Sequence, residues 1–429
     1  MKVLVIGSGG REHALVWALR RSPRVDEIVC APGNAGIAAL ARCLPVNGSD
    51  LDAMLSVAEA ERPGLVVVGP ELPLALGLVD ALQARGIRVF GPTQAAARLE
   101  TSKAFAKDFM RQYGIPTAAY AVCHTLAEVQ RELPRFNVPV VVKADGLAAG
   151  KGVIICETHA EAEAAAAQIF SGDLLGIEEG TVVLEEFLAG EELSFFALCD
   201  GSAAIPIAAA QDHKRIGEGD TGPNTGGMGA YSTDALLSPA LRDWLTANIA
   251  QKVVDGMRDR GEPFRGVLFC GIMLVPSATG APTPMVLEFN TRFGDPETEA
   301  IMLRLQTDLL DLLEASVDGT AADLHIGLRP GASACVIAAS GGYPGKYPTG
   351  KPISGLDHVP DGVVVFHCGT SERDGEILTA GGRVLGVTAS SEVGLADALQ
   401  KAYSALHHIR FDGMQFRRDI GWRALSSGT

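Results

Sequence analysis

No C-x-x-C pair occurs among the eight cysteines, which sit singly, several of them in apolar runs such as "EIVCAPG", "GVIICE" and "GVLFCG". Neither a zinc site nor a disulfide framework is expected, and buried free thiols suit a reducing compartment. No apolar run approaches ~18 residues, so no membrane-spanning helix is expected. Met1 leads straight into a strand-like run with no basic and apolar leader, so the chain reads as cytoplasmic. Basic charge is short as well: 36 Lys+Arg against 51 Asp+Glu leave a net charge of −15. That balance argues against a nucleic-acid partner, which needs a basic footprint. It still allows a small anionic substrate in a locally basic pocket. Internal repeats and low-complexity tails are missing too.

The chain has 429 residues, 47% hydrophobic and 20% charged, which suits a globular enzyme of two to four domains. Residues 1–100 alternate buried strands ("KVLVIG", "EIVCAPG", "GLVVVGPE", "IRVFGP") with helical stretches such as "REHALVWALRR". This is the α/β pattern of a small doubly wound parallel sheet. Residues 101–327 begin with a helix over Ser102–Tyr113. Strands with few long crossovers follow ("AAYAVC", "VPVVVKAD", "GVIICE", "TVVLEEFL", "ELSFFALCD"), which predicts an α+β unit with an antiparallel sheet. Residues 328–429 form a third, smaller mixed α/β segment ("SACVIAAS", "GVVVFHCG", "RVLGVTAS") closed by a helix near Val393–His407.

Four stretches carry chemistry. "VIGSGGREH" places a glycine turn between the first strand and first helix, aiming amides at an anion, with Arg11 adding a guanidinium fork. Glu12 at the sixth position breaks the dinucleotide fingerprint, and a purely structural turn is the competing reading. "VVVKADGLAAGKGVIIC" is one residue short of a P-loop and flanked by strands on both sides. Its Lys143 and Lys151 read as point charges for phosphates under a glycine flap. "MVLEFNTRFGDPETE" alternates so that Glu288, Asn290 and Arg292 share one face. Glu288 and Asn290 suit Mg²⁺ and Arg292 an anion; a Glu288–Arg292 ion pair is the alternative. "GDPE" is expected to cap the next helix. Last, "QDHKRIGEGDTGPNTGGMGAY" is linker-like by composition, but its front is dense in charge.

Paired lysines, a glycine flap between antiparallel strands and a Glu-x-Asn strand together resemble the ATP-grasp superfamily. Within it the chain resembles the phosphoribosylamine–glycine ligase (glycinamide ribonucleotide synthetase) family nearly end to end. The motifs include "VIGSGGREHAL", "APGNAGI", "VVGPELPL", "EEFLAGEELSFFAL", "QDHKRIGEGDTGPNTGGMGAYS", "EFNTRFGDPET", "SGGYPGKY" and "FRRDIGWRAL". The resemblance implies a pre-ATP-grasp domain at 1–100, a two-lobed ATP-grasp domain at 101–327 with its lid near 121–190, and a C-terminal domain at 328–429. Lys103 and Lys143 would contact ATP phosphates under the lid loop Gly146, Gly150, Lys151 and Gly152. Glu185, Glu186, Phe187 and Leu188 would form the adenine hinge, and Glu192 or Glu191 would meet the ribose.

By the same resemblance, Glu288 and Asn290 would hold Mg²⁺ or Mn²⁺. Phosphoribosylamine would meet Gly9, Gly10, Arg11, Asn34 and Glu71. Asp212, His213, Lys214 and Arg292 would line the glycine side, with Asp212 on the ammonium; Arg292, Asp212 and Lys143 would be the catalytic groups. ATP, glycine and 5-phosphoribosylamine are thus the implied ligands, the chain a monomer in transient contact with the preceding amidotransferase. The sequence departs from the family pattern at Cys270, at Glu299 where glutamine is common, and in lacking an acid on "GVLFCGIM" that many ATP-grasp enzymes use as a further metal ligand. A ligase that activates bicarbonate and a non-catalytic nucleotide sensor are the competing functions.

Overall fold

The computed structural model describes residues 1–147, 152–172, 180–278 and 280–426. Strands β1 (Lys2–Gly7), β2 (Glu27–Pro32), β3 (Arg42–Cys43), β4 (Leu65–Val68) and β5 (Val89–Phe90) form a parallel sheet of order β3-β2-β1-β4-β5. β4, and β1 after Lys2, are apolar because both faces are covered. Val3, Val5 and Val67 pack on one side, and Leu4, Ile6, Val66 and Val68 on the other. The strand order reverses between β1 and β4, so the turns after Gly7 and Val68 flank the crevice where doubly wound sheets bind ligands.

β6 (Tyr120–Cys123), β7 (Val140–Ala144), β8 (Val153–Cys156) and β9 (Val182–Glu186) form an antiparallel sheet of order β6-β9-β7-β8. Helices Leu126–Glu132 and His159–Phe170 cover one face with a small core of their own.

The main sheet contains β10 (Glu191–Asp200), β11 (Ala204–Asp212) and, beyond a small hairpin of β12 (Arg215–Gly217) and β13 (Thr221–Asn224), β14 (Gly229–Thr233). It continues with β15 (Arg265–Val275), β16 (Thr283–Asn290), β17 (Ala332–Ala339) and β18 (Val363–His367). After a second hairpin, β19 (Thr370–Arg373) and β20 (Glu376–Thr379), comes β21 (Arg383–Ser391). Its order is β16-β15-β10-β11-β14-β17-β21-β18. The C-terminal strands therefore extend the central sheet rather than building a sheet apart, a continuity the sequence did not suggest. β14 is the bridge: it meets β11 at Gln211↔Tyr231 and β17 at Gly229↔Val336.

The linker-like stretch 211–231 is thus ordered, and C-terminal residues hold it. Gly219 N–H donates to Asp419 at 2.7 Å, Asp220 pairs with Arg417 at 2.8 Å, and Gly226 is held by the Tyr343 hydroxyl at 2.9 Å and by Arg383 at 2.6 Å. Gly229 (φ 151°) starts β14 so close to β17 that a side chain there would meet the Cys335 carbonyl at 2.6 Å.

His213 is fully buried; one ring nitrogen donates to Gly229 O at 3.3 Å and the other accepts from Gly421 N–H at 3.0 Å. Burial, then Arg417 and Arg423, hold its pKa at about 4. Its folded pKa lies below the unfolded value, so this stability is present above pH ~6.5 and lost as pH falls toward 4. The effect reaches about 3 kcal/mol. His213→Gln is expected to flatten the fall in Tm between pH 6.5 and 4; an unchanged slope would remove this account.

Candidate active site

Five segments converge where the small antiparallel sheet, the main sheet and the N-terminal sheet meet. Helix Lys103–Gln112 is capped by Ser102, whose hydroxyl accepts from Phe105 N–H at 3.1 Å and donates to Asp145 at 3.0 Å. That contact docks the end of β7 on the helix, and Lys103 Nζ then reaches Gly146 O at 2.9 Å. Lys143, from β7, pairs with Glu185 of β9 at 2.8 Å and donates to Leu287 O at 3.3 Å. Gly150 and Lys151 lie outside the described residues. Gly152 is described, and its carbonyl accepts from Ala144 N–H at 2.8 Å.

Glu185 is buried, and its carboxylate pairs with Lys107 and Lys143. Glu186 and Phe187 are exposed at the cleft and Leu188 is half-buried. Along β10, Glu191 accepts from Gln211 at 2.6 Å, while Glu192 pairs with Lys214.

β16 ends at Asn290, so Glu288 and Asn290 share a face, whereas Arg292 lies beyond the strand. Arg292 pairs not with Glu288 but with Glu100 at 3.1 Å and Glu71 at 3.5 Å, and it donates to Asn290 Oδ1 at 3.3 Å. Among the described residues Glu288 has no ion pair or hydrogen bond at contact distance. Burial alone would raise its carboxyl, but Lys214, Lys143, Lys103 and Arg292 overcome it and hold the group below the usual range. An ionised, uncommitted carboxylate beside an amide oxygen fits a hard divalent cation that completes its shell with water and phosphate. No group of three or more Asp, Glu, His or Cys side chains gathers for a metal among the described residues.

On the N-terminal side, the Glu12 that breaks the dinucleotide pattern has a structural reason. Its carboxylate accepts from Gly9 N–H at 2.7 Å and pairs with Arg11 at 2.5 Å. It lies under Gly7 (φ 131°) and Gly69, where any β-carbon would collide with it at 2.4 and 2.2 Å. Arg11 is buried, donates to Phe293 O at 3.2 Å and approaches Glu71 at 3.9 Å. Asn34 turns inward: its amide donates to Ser8 O at 2.8 Å and His367 O at 2.7 Å, and its oxygen caps Ile37 at 3.0 Å.

Other expectations need correction as well. "GDPE" does not cap the helix Glu297–Arg304: Pro296 occupies the cap with no side-chain bond, and Asp295 pairs with Arg383 at 3.0 Å instead. His213, for the reason given above, presents neither ring nitrogen to the cleft. Asp212 and Lys214 do face it. Burial, then Glu297, push the Asp212 carboxyl well up, while Lys214 pulls it down.

Residues that sequence reasoning passed over complete the site: Glu100, Lys107, Asp295, Glu297 and Arg383. Lys107 carried a signal in standing one helical turn after Lys103, and Asp295 and Glu297 in lying within "EFNTRFGDPET". Glu299 is buried against Gly10 with neither carboxylate oxygen partnered, and burial, then Asp295, push its pKa well up.

The chain matches three family descriptions in succession: phosphoribosylglycinamide synthetase N domain over residues 1–100, ATP-grasp (A) domain over 101–298 and C domain over 333–423. The chain belongs to the phosphoribosylglycinamide synthetase family. It is 51% identical over 430 residues to the phosphoribosylamine–glycine ligase of Xanthomonas axonopodis pv. citri, covering 99% of this chain and 98% of that one. Identity to the Vibrio cholerae ligase is 47% over 429 residues, covering 99% of each chain. The crystal structure of the Thermotoga maritima ligase superposes with a TM-score of 0.86 at 34% identity, covering 98% of this chain and 100% of that one. A Hydrogenobacter thermophilus biotin carboxylase domain shares the fold at a TM-score of 0.75 and 17% identity, covering 97% and 91%. As a phosphoribosylglycinamide synthetase family member the chain is a ligase, and its ATP-grasp fold implies use of ATP with a divalent metal such as Mg²⁺. Among the described residues, no helix is long and apolar enough to cross a membrane.

Proposed function

We propose that this chain joins glycine to 5-phosphoribosylamine using ATP, giving glycinamide ribonucleotide, ADP and phosphate in purine biosynthesis. The observation that carries it is the convergence of Lys103, Lys143, Lys214 and Arg292 on Glu288, beside the Arg11–Glu71 crevice of the N-terminal sheet. A carboxylate does not acylate an amine at neutral pH, because oxide would have to leave. Glycine's carboxylate oxygen attacks the γ-phosphorus, and ADP departs to leave glycyl phosphate. The amine of phosphoribosylamine then attacks the acyl carbon, and phosphate departs.

The chain's own contribution is positioning and charge neutralisation. Lys103 and Lys143 take the phosphates, with Lys103 held against the Gly146 carbonyl. The backbone at Glu186–Leu188 faces the adenine, and Glu192 or Glu191 the ribose. Glu288 and Asn290 would hold Mg²⁺ or Mn²⁺, which neutralises phosphate charge when bound. Gly9, Gly10, Arg11 and Glu71 face phosphoribosylamine, and Arg292 lies between that substrate and glycine. Asp212 faces glycine's ammonium, whose arrival favours the ionised carboxylate that burial disfavours. Water must be kept out, because glycyl phosphate hydrolyses.

A coupled ADP-release assay tests this, with glycine and freshly prepared phosphoribosylamine supplied or withheld. ADP release should require both; an equal rate without glycine sinks the proposal, and release driven by bicarbonate favours a carboxyphosphate-forming ligase. In the same assay Asp212→Asn should raise the KM for glycine about tenfold, as loss of one charged hydrogen bond does.

A further inference from the structure

Lys107 is 2% exposed, four residues after Lys103 on the same helix. Its ammonium pairs with Glu185 Oε2 at 2.7 Å and donates to the Thr117 hydroxyl at 2.7 Å, which itself donates to Val286 O at 2.6 Å. The other oxygen of Glu185 takes Lys143 at 2.8 Å, and Lys143 reaches on to Leu287 O at 3.3 Å. The chain of contacts is closed. It leaves β16 at Val286, runs through Thr117, Lys107, Glu185 and Lys143, and returns to β16 one residue later, beside Glu288.

One buried carboxylate thus bridges two buried ammoniums. A lone Glu185–Lys143 pair would be neutral, and Lys143 would meet a phosphate only by leaving its partner. With Lys107 on the second oxygen the triad keeps a net positive charge, and Glu185 stays compensated when Lys143 turns to an anion. Unpaired charge at this depth is costly, so the compensation matters most in the ligand-bound state. Burial pushes Lys107 down to about 8, and the neighbouring Glu185 opposes that shift. Lys107 itself has no open side toward the cleft, which separates its role from that of Lys103.

We propose that Lys107 is a positioning residue for ATP: it holds Glu185 so that Lys143 can turn from that carboxylate to the nucleotide's phosphates while staying in register with Glu288. The proposal rests on the assignment of this cleft to ATP.

The test measures KM for ATP, KM for glycine, kcat and the Kd of MgADP by calorimetry, with Tm as a control for folding. Lys107→Met should raise KM for ATP and Kd for MgADP about 10- to 100-fold, the effect of losing a charged hydrogen bond, with KM for glycine within twofold. Glu185→Gln in the Lys107→Met background should recover most of that loss, because a neutral residue 185 no longer draws on Lys143. Equal losses for ATP and glycine, or no recovery in the double variant, would overturn the proposal, since a merely structural lysine behaves that way. Lys143→Ala separates the two ideas. If it weakens MgADP while Lys107→Met does not, only the role of Lys107 falls; if it leaves MgADP unchanged, the nucleotide assignment itself is wrong.

Discussion

Glu288→Gln is expected to lower kcat by about 10³-fold, with fold and oligomeric behaviour intact. The amide keeps the size of the side chain and removes its charge. In the native site that charge is flanked by Lys214, Lys143, Lys103 and Arg292, which hold the carboxyl below its ordinary range against burial. A folded pKa below the unfolded one means Glu288 adds stability above the unfolded value, lost as pH falls through the folded one. Glu288→Gln should therefore cost a modest amount of Tm at neutral pH and nothing in acid. It should also remove the ability of Mg²⁺ to tighten ADP, which calorimetry with and without the metal measures directly. Turnover within tenfold of wild type, or undiminished Mg²⁺ enhancement, would show that the metal is held elsewhere.

Arg292→Lys is the second large effect: a loss of about 10²- to 10³-fold in kcat/KM despite conserved charge. The guanidinium touches Glu100 at 3.1 Å, Glu71 at 3.5 Å and Asn290 at 3.3 Å, and it donates to Phe293 O at 3.2 Å. It therefore ties the N-terminal crevice, the start of the central region and the end of β16 together. An ammonium has the charge but not the planar fork, so it can serve one of these partners well and not all. Steady-state kinetics should show KM rising for both glycine and phosphoribosylamine, with KM for ATP changed least. A loss confined to ATP would place Arg292 on the wrong substrate.

Local pattern carried much of the architecture. The apolar runs of β1 and β4 could only be strands covered on both faces, and close-spaced strands after residue 120 could only pair antiparallel. Lys103, Lys143, Glu288 and Asn290 stand out in the sequence because lysines near glycines, and an acid and amide at period two, are unusual expenditures of polar groups near a core. Lys107 was legible only in retrospect. Helical spacing put it beside Lys103, but its partner Glu185 lies 78 residues further along the chain. Asn34 and His213 were misjudged for the opposite reason. Their side chains have ordinary local signals for a polar pocket, yet the backbone groups that occupy them come from Ser8, His367 and Gly421.

By itself the sequence determined the family, most of the long strands, and the lysines and the Glu-x-Asn strand on which the proposed site rests, because each is written in residues close together. Tertiary structure alone decided that β14 fuses the C-terminal strands to the central sheet, and that Arg383 and Asp419 hold the 211–231 segment. It also decided which charges pair: Arg292 with Glu100 and Glu71, Glu185 with two lysines. Ion pairing depends on distances of a few ångströms between residues remote in the chain, and no periodicity reports those. Alternation and helical spacing fix which way a side chain points, whereas long-range packing fixes what it meets.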